Sequence, residues 1–118
     1  GRPELIFAVN SSPVMIFSEP PAREQANRLL EVRLVGKPGN IPAVGARITV
    51  TLTGTERSQT SEITAGSGYL GQSEPVRWFG LGPVAAGARL EITVRWPDGA
   101  STTTEAIAGA RRVVIPQP

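Results

Sequence analysis

Along most of this chain, hydrophobic and polar residues alternate with a period of two. Leu30, Val32 and Leu34 alternate with Glu31 and Arg33, the pattern of a strand buried on one face. Val44, Ala46, Ile48, Val50 and Leu52 alternate with Gly45, Arg47, Thr49, Thr51 and Thr53, a longer version of the same pattern. Leu90, Ile92, Val94 and Trp96 alternate with Glu91, Thr93 and Arg95 and make the clearest strand of all. One greasy face and one Thr/Arg/Glu face per strand imply antiparallel sheets packed on one side. Pro97, Asp98 and Gly99 supply the turn that ends the third of these strands, and residues 101–105 read as its hairpin partner. Residues 57–64 are more polar and read as an edge strand. Residues 113–115 make a short closing strand, and Pro116 is expected to stop further pairing. Residues 22–30 could turn once as a helix, but Pro20 and Pro21 precede them and the strand pattern begins at Leu30, so a linker or a single turn is expected. Roughly eight to ten short strands without crossover helices predict an all-β fold, an antiparallel two-sheet β-sandwich. A partly open β-barrel of the oligonucleotide-binding type is the alternative.

Composition narrows the chemistry more than the fold. The chain has 118 residues, the size of one domain. Cysteine and histidine are both absent, which removes thiol nucleophiles, thiolate metal sites, disulfides and the imidazole base together. No cofactor is expected. Twelve basic and ten acidic groups leave a net charge of +2, and Arg111-Arg112 is the one adjacent basic pair, with Lys37 the sole lysine. Nucleic-acid-binding domains concentrate their cations in a patch or run, so a nucleic-acid partner is not expected. No apolar run approaches the ~18 residues of a membrane-spanning helix, and membrane insertion is not expected. Gly1-Arg2-Pro3 leads into an apolar stretch broken at Asn10, which does not read as an export leader and is consistent with release from a longer precursor.

The candidate binding residues cluster between positions 66 and 79. Gly66, Gly68 and Gly71 surround Tyr69 and permit either a ligand-contacting loop or a bend that lets Tyr69 cover the core. The bend is the favoured reading, because glycine in β proteins mostly marks bends. Ser67 and Ser73 lack the nucleophile-elbow spacing and any histidine base. Nothing in the spacing of Glu62, Glu74, Glu91 and Glu105 selects a glycosidase-type pair. An enzyme is not expected. Adjacent residues of a strand face opposite ways, so Trp78 and Phe79 cannot both be core. Phe79 is the core candidate, and Trp78 is the exposed or rim indole that could stack on a sugar, fill a partner's pocket, or equally cover the sheet edge within its own domain. A glycan groove would use Trp78 or Tyr69 with Gln72 or Glu74 as polar partners. Trp96 has core parity, its N–H satisfied near the turn. Arg33, Arg47 and Arg95 share polar parity and would form either a stripe or cross-strand pairs with Glu31, Glu62 and Glu91; the pairs are favoured.

Residues 5–9 (Leu-Ile-Phe-Ala-Val) and 14–17 (Val-Met-Ile-Phe) are apolar on both parities, so both faces of each strand need cover. Ile6, Met15 and Phe17 are therefore expected to form a contiguous interface patch, covered by a tight fold-back or by a homodimer, with the homodimer favoured. The chain divides accordingly into an N-terminal β segment with a linker over residues 1–26 and a β domain over residues 27–118.

The β domain resembles the ASPIC/UnbV domain. The residues that carry the likeness are Asn27-Arg28-Leu29-Leu30-Glu31-Val32-Arg33-Leu34-Val35-Gly36 and Val44-Gly45-Ala46-Arg47-Ile48-Thr49-Val50. They continue with Ala65-Gly66-Ser67-Gly68-Tyr69-Leu70-Gly71-Gln72-Ser73, Phe79-Gly80-Leu81-Gly82 and Val94-Arg95-Trp96-Pro97-Asp98-Gly99. In that family the domain typically follows FG-GAP or VCBS repeats, which form propeller blades, in exported proteins. Residues 4–18 resemble the closing stretch of such a repeat. The resemblance implies a non-catalytic, extracytoplasmic or secreted accessory module, with a protein partner or a neighbouring β-propeller domain. Such repeats often bind calcium through closely spaced aspartates; Asp98 is the only aspartate here, which argues against calcium in this stretch. A carbohydrate-binding module is the alternative by analogy of fold, and a nucleic-acid-binding barrel is a distant third.

Overall fold

β-branched and leucine residues at every second position bury one face of a pleated strand and leave the other to threonine, arginine and glutamate. The computed structural model describes residues 4–18 and 27–118. Nine strands run through them: β1 (Glu4–Phe7), β2 (Met15–Ser18), β3 (Arg28–Val35), β4 (Arg47–Leu52), β5 (Ser58–Glu62), β6 (Val76–Gly82), β7 (Arg89–Arg95), β8 (Ser101–Ile107) and β9 (Arg112–Pro116). A four-stranded sheet in the order β5-β4-β7-β8 packs on a three-stranded sheet in the order β6-β3-β9. The predicted sandwich is thus observed, and the two sheets do not close into a barrel. Part of the 22–30 stretch lies outside the described residues; its end, from Arg28, is strand.

The core is the set of inward parities read along each strand. Leu30, Val32 and Leu34 of β3 meet Ile48 and Val50 of β4, Phe79 and Leu81 of β6, Leu90, Ile92 and Val94 of β7 and Ile115 of β9, all buried. Trp96 closes this core at the end of β7, 2% exposed, and its indole N–H donates to Thr102 Oγ1 at 2.8 Å. One polar hydrogen bond thus lets the largest side chain sit inside.

Three details depart from the alternating pattern. β4 begins at Arg47 rather than Val44, because Ala43 (φ +56°) and Gly45 (φ +89°) turn the chain there. Asn40 locks that turn, its side chain accepting from Val44 N and donating to Val44 O, both at 3.0 Å. β9 runs parallel to β3, whereas antiparallel pairing was expected throughout. Pro116 does not end that ladder: it sits opposite Val35, and Gln117 N donates to Val35 O at 2.8 Å. A proline is tolerated because β9 is an edge strand, whose outer N–H groups need no ladder partner.

The two open sides of the sandwich are treated differently. Where β5 lies beside β6, side chains bridge the sheets: Arg57 Nη2 donates to Leu81 O at 3.3 Å, Gln59 Nε2 to Gly80 O at 2.7 Å, and Arg77 Nε to Glu62 O at 2.7 Å. Where β8 lies beside β9, a cleft of about 530 Å³ opens, lined by Arg89, Glu105, Ala106, Ile107, Ala110 and Val113. One end of the sandwich is stapled by Asp98. Its carboxylate accepts from Ala100 N (3.1 Å), Gln117 Nε2 (2.8 Å) and Lys37 Nζ (3.3 Å).

Candidate functional site

Register assigns the outward face of the three-stranded sheet. Leu30 pairs with Phe79 in the core, so Glu31 and Trp78, the next pair along, face outward together. On the other flank Glu31 lies opposite Arg112, and Arg33 opposite Val114. The outer face therefore carries Trp78, Glu31, Arg33, Arg112 and Val114. Trp78 is 55% exposed while its neighbour Phe79 is 2% exposed, as adjacent positions on a one-sided strand require.

Glu31 is the unusual residue of this face, 5% exposed beneath the indole and the arginine. Its carboxylate receives Arg112 Nε at 2.7 Å and Nη2 at 3.1 Å, a two-point contact that the planar guanidinium is shaped to make. Arg33 pairs with Glu74 on the same face. Two ion pairs therefore lie on the same face as Trp78. Of the expected arginine pairs with Glu31, Glu62 and Glu91, Arg47–Glu62 forms at 3.7 Å, whereas Arg33 takes Glu74 and Glu31 takes Arg112. The alternative three-arginine stripe is not formed. Arg47 and Arg95 are direct neighbours, but Arg33 lies in the other sheet.

The outer face of the four-stranded sheet has a different character. Thr60, Thr49, Thr93 and Thr103 form a row straight across it, with hydroxyl contacts of 2.9 Å between Thr49 and Thr60 and 3.3 Å between Thr93 and Thr103. Of the flanking rows on this face, one has Arg47 and Arg95 at its centre and the other carries Glu91 and Glu105. This is a solvated polar face.

The glycine-rich loop between β5 and β6 stands away from both faces. Gly68 and Gly71 form an isolated antiparallel bridge, so Tyr69 and Leu70 occupy the tip of a tight turn. Tyr69 is 96% and Leu70 94% exposed. The favoured reading that Tyr69 covers the core is overturned: the bridge directs its ring outward. Gln72 turns back on its own loop. Its Oε1 accepts from Gly66 N at 2.6 Å and its Nε2 donates to Ser73 O at 3.0 Å, while Ser67 Oγ accepts from Ser73 N at 3.0 Å. Gln72 and Ser67 thus brace the loop. Of the four candidate ligand residues, Glu74 and Trp78 share a face, Tyr69 stands on the loop tip, and Gln72 is spent on the loop itself.

The N-terminal hairpin places Ile6 opposite Ile16 and pairs Leu5 with Phe17 and Phe7 with Met15. Met15 and Phe17 therefore share one face with Leu5 and Phe7, and Ile6 lies on the other. The expected contiguous patch is two patches, back to back. Phe7 and Phe17 meet edge to face at 5.7 Å, and every residue from 4 to 18 is exposed.

Among the described residues, no group of three or more His, Cys, Asp or Glu side chains is arranged to hold a metal ion, and no helix is long and apolar enough to cross a membrane. No curated protein and no solved structure matches the chain. The family described as ASPIC and UnbV matches residues 36–118, well over half of the length and the whole sandwich except its first strand, β3. The chain belongs to the ASPIC and UnbV family.

Proposed function

We propose that this chain is a non-catalytic docking module of an exported protein, held against a neighbouring β-propeller domain through its N-terminal hairpin. The observation that carries this reading is the hairpin itself. Leu5, Phe7, Met15 and Phe17 on one face and Ile6 and Ile16 on the other are all exposed, and a lone two-stranded ribbon is marginal in water. Its two outer edges also keep free backbone donors and acceptors, which a strand of a neighbouring sheet can pair. Cover on both faces and at an edge is what a blade of a propeller supplies. The family resemblance supports the same neighbour and an extracytoplasmic location.

The test compares the full chain with one that begins at Asn27, by light scattering and by binding of an apolar fluorescent dye. The full chain is expected to bind dye or self-associate, and the shorter chain to do less of both. A monomeric full chain that binds no dye removes the support for docking through the hairpin.

A second reading is carbohydrate binding, favoured by the half-exposed Trp78 ring lying among the Glu31–Arg112 and Arg33–Glu74 pairs. Glycan titration followed by tryptophan emission tests it: a saturable change in the wild type that Trp78→Ala abolishes supports it, and a flat titration counts against it.

A further inference from the structure

The four-stranded sheet distributes its charges in the less stable of two ways. On its outer face Arg47 of β4 and Arg95 of β7 stand directly opposite each other, with Glu62 beyond Arg47 and Ser101 beyond Arg95. Four residues along the same sheet, Glu91 and Glu105 are likewise opposite each other. Like charges directly opposite destabilise an antiparallel pair. Exchanging Arg95 with Glu91 would make both pairs attractive, so the order present is the costly one. Among the described residues Arg95 makes no ion pair, and Arg47 makes one, the loose contact to Glu62 at 3.7 Å with both side chains half exposed. Such a contact steadies Arg47 without neutralising it.

A cleft of about 290 Å³ opens beside this pair. Both arginines line it, together with Glu62, Gly45, Pro97 and Gly99. Gly45 and Gly99 lie in the left-handed region, at φ +89° and +88°, so that wall carries no side chain and a ligand can approach the backbone closely. Asp98, between two of the lining residues, is turned to other partners: its carboxylate accepts from Ala100, Lys37 and Gln117 and does not neutralise Arg95. The walls are also fixed before any ligand arrives. Gly45 N donates to Ile63 O and Trp96 N to Ala100 O, both at 2.8 Å, and the Asn40 side chain clamps Val44. A pre-formed cleft of this kind lowers the ordering cost of binding.

We propose that Arg47 and Arg95 form a binding site for a tetrahedral oxyanion, a sulfate or phosphate ester group borne on a larger molecule. A carboxylate satisfies one guanidinium by a two-point contact, as Glu31 does for Arg112. A group with three terminal oxygens can accept from two guanidiniums at once. The cleft is several times larger than a single small ion needs, since a water's share of the liquid is about 30 Å³; the remaining space suits the carrier of the ester. Glu91 and Glu105 lie about 13 Å further along the strands on the same face and repel a polyanion laid along it. One compact anionic group is therefore favoured over a nucleic-acid backbone. The threonine row between the charged rows offers no apolar surface to a bilayer. The site uses no residue of the hairpin or of the Trp78 face, so it stands apart from both readings above.

The experiment titrates the full chain, labelled with nitrogen-15, at constant ionic strength with glucose 6-sulfate, glucose 6-phosphate, inorganic sulfate and acetate, following the backbone amide and arginine Nε–H resonances. The expected result is a saturable shift at Gly45, Arg47, Arg95 and Gly99 with an ester, at a dissociation constant of about 1–10 mM, weakened about tenfold or more by Arg95→Gln. Arg111→Gln, at an exposed arginine outside this cleft, is expected to bind as the wild type does. In parallel, melting temperatures at low salt compare Arg95→Gln with the wild type. Removing one of two like charges is expected to leave the melting temperature equal or higher, so that lost binding is not lost fold. The proposal is overturned by the absence of a saturable shift with either ester, by acetate binding as tightly as the esters, or by Arg111→Gln weakening binding as much as Arg95→Gln, which would mark a general charge effect. Inorganic sulfate binding as tightly as the esters would overturn it in favour of a small ion alone. A melting temperature lowered by more than a few degrees in Arg95→Gln would overturn it as well, because Arg95 would then serve the fold.

Discussion

Replacing Trp96 by alanine removes the largest buried side chain of the sandwich from the end of its core. The indole is 2% exposed, and an aromatic side chain buries roughly 150–250 Å². At about 25 cal/mol per Å² that is ~4–6 kcal/mol as an upper estimate, in line with the ~3–5 kcal/mol typical of such truncations. The lost hydrogen bond to Thr102 adds little, because that hydroxyl is partly exposed and can turn to water. Against a total stability of about 5–15 kcal/mol, Trp96→Ala should lower the melting temperature by roughly 15–30 °C or leave the chain unfolded. Trp78→Ala makes the internal control: the same atoms are removed from a ring 55% exposed, so the loss should stay at or below about 2 kcal/mol. Urea unfolding followed by far-ultraviolet circular dichroism measures both, since each variant loses one of the two indoles. Emission gives a second readout: Trp96 alone should emit blue-shifted, and Trp78 alone red-shifted. If Trp78→Ala is the more damaging variant, or Trp96→Ala costs under about 1 kcal/mol, the assignment of inward and outward faces is wrong.

Asp98 should make the fold acid-sensitive. The Ala100 N–H above all holds its carboxyl below the ordinary 3.8; desolvation, the next largest effect, opposes it, and Lys37 and Gln117 add to the lowering. A group depressed in the folded state contributes stability above its unfolded value and loses it as pH falls through the folded one. The melting temperature should therefore drop on acidification below about pH 4, and Asp98→Asn should flatten that drop; equal slopes would remove Asp98 as a contributor. Arg112→Ala should cost about 1–3 kcal/mol, less than a fully buried pair because the guanidinium is largely solvated, and Glu31→Gln should recover part of it in a double-mutant cycle. Strict additivity would mean that the pair is not coupled. Gly36→Ala should destabilise by about 1–3 kcal/mol, because a Cβ there would lie 2.2 Å from the Asn40 carbonyl oxygen; urea midpoints check it, and an unchanged midpoint would refute the close approach.

The sandwich was legible because one-sided burial leaves a period of two. β3, β4 and β7 were readable from their alternation, and Trp78 could be placed outside by parity with Phe79 alone. Long-range pairing was not legible in the same way. The parallel placement of β9 depends on a crossing between sheets by residues 108–111, and nothing local in Val113 or Ile115 distinguishes a parallel neighbour from an antiparallel one. Tyr69 was misread for a related reason. A glycine-flanked aromatic can cover a core or stand at a turn tip, and the choice is made by the Gly68–Gly71 bridge and the inward bonds of Ser67 and Gln72. Those depend on a fold of the loop that composition does not specify.

The asymmetry between the two sides of the sandwich bears most directly on what the molecule can bind. Every sandwich has two seams where its sheets part, and an open seam exposes both apolar walls and strand edges. At the β5/β6 seam Arg57, Gln59 and Arg77 reach across to carbonyls of the opposite sheet or strand end, so that side is closed with polar groups. At the β8/β9 seam the corresponding positions near the end of β8 are Ala106 and Ile107, and the cleft there is apolar. One side of the sandwich is therefore closed by polar groups, and the other leaves apolar side chains open to solvent.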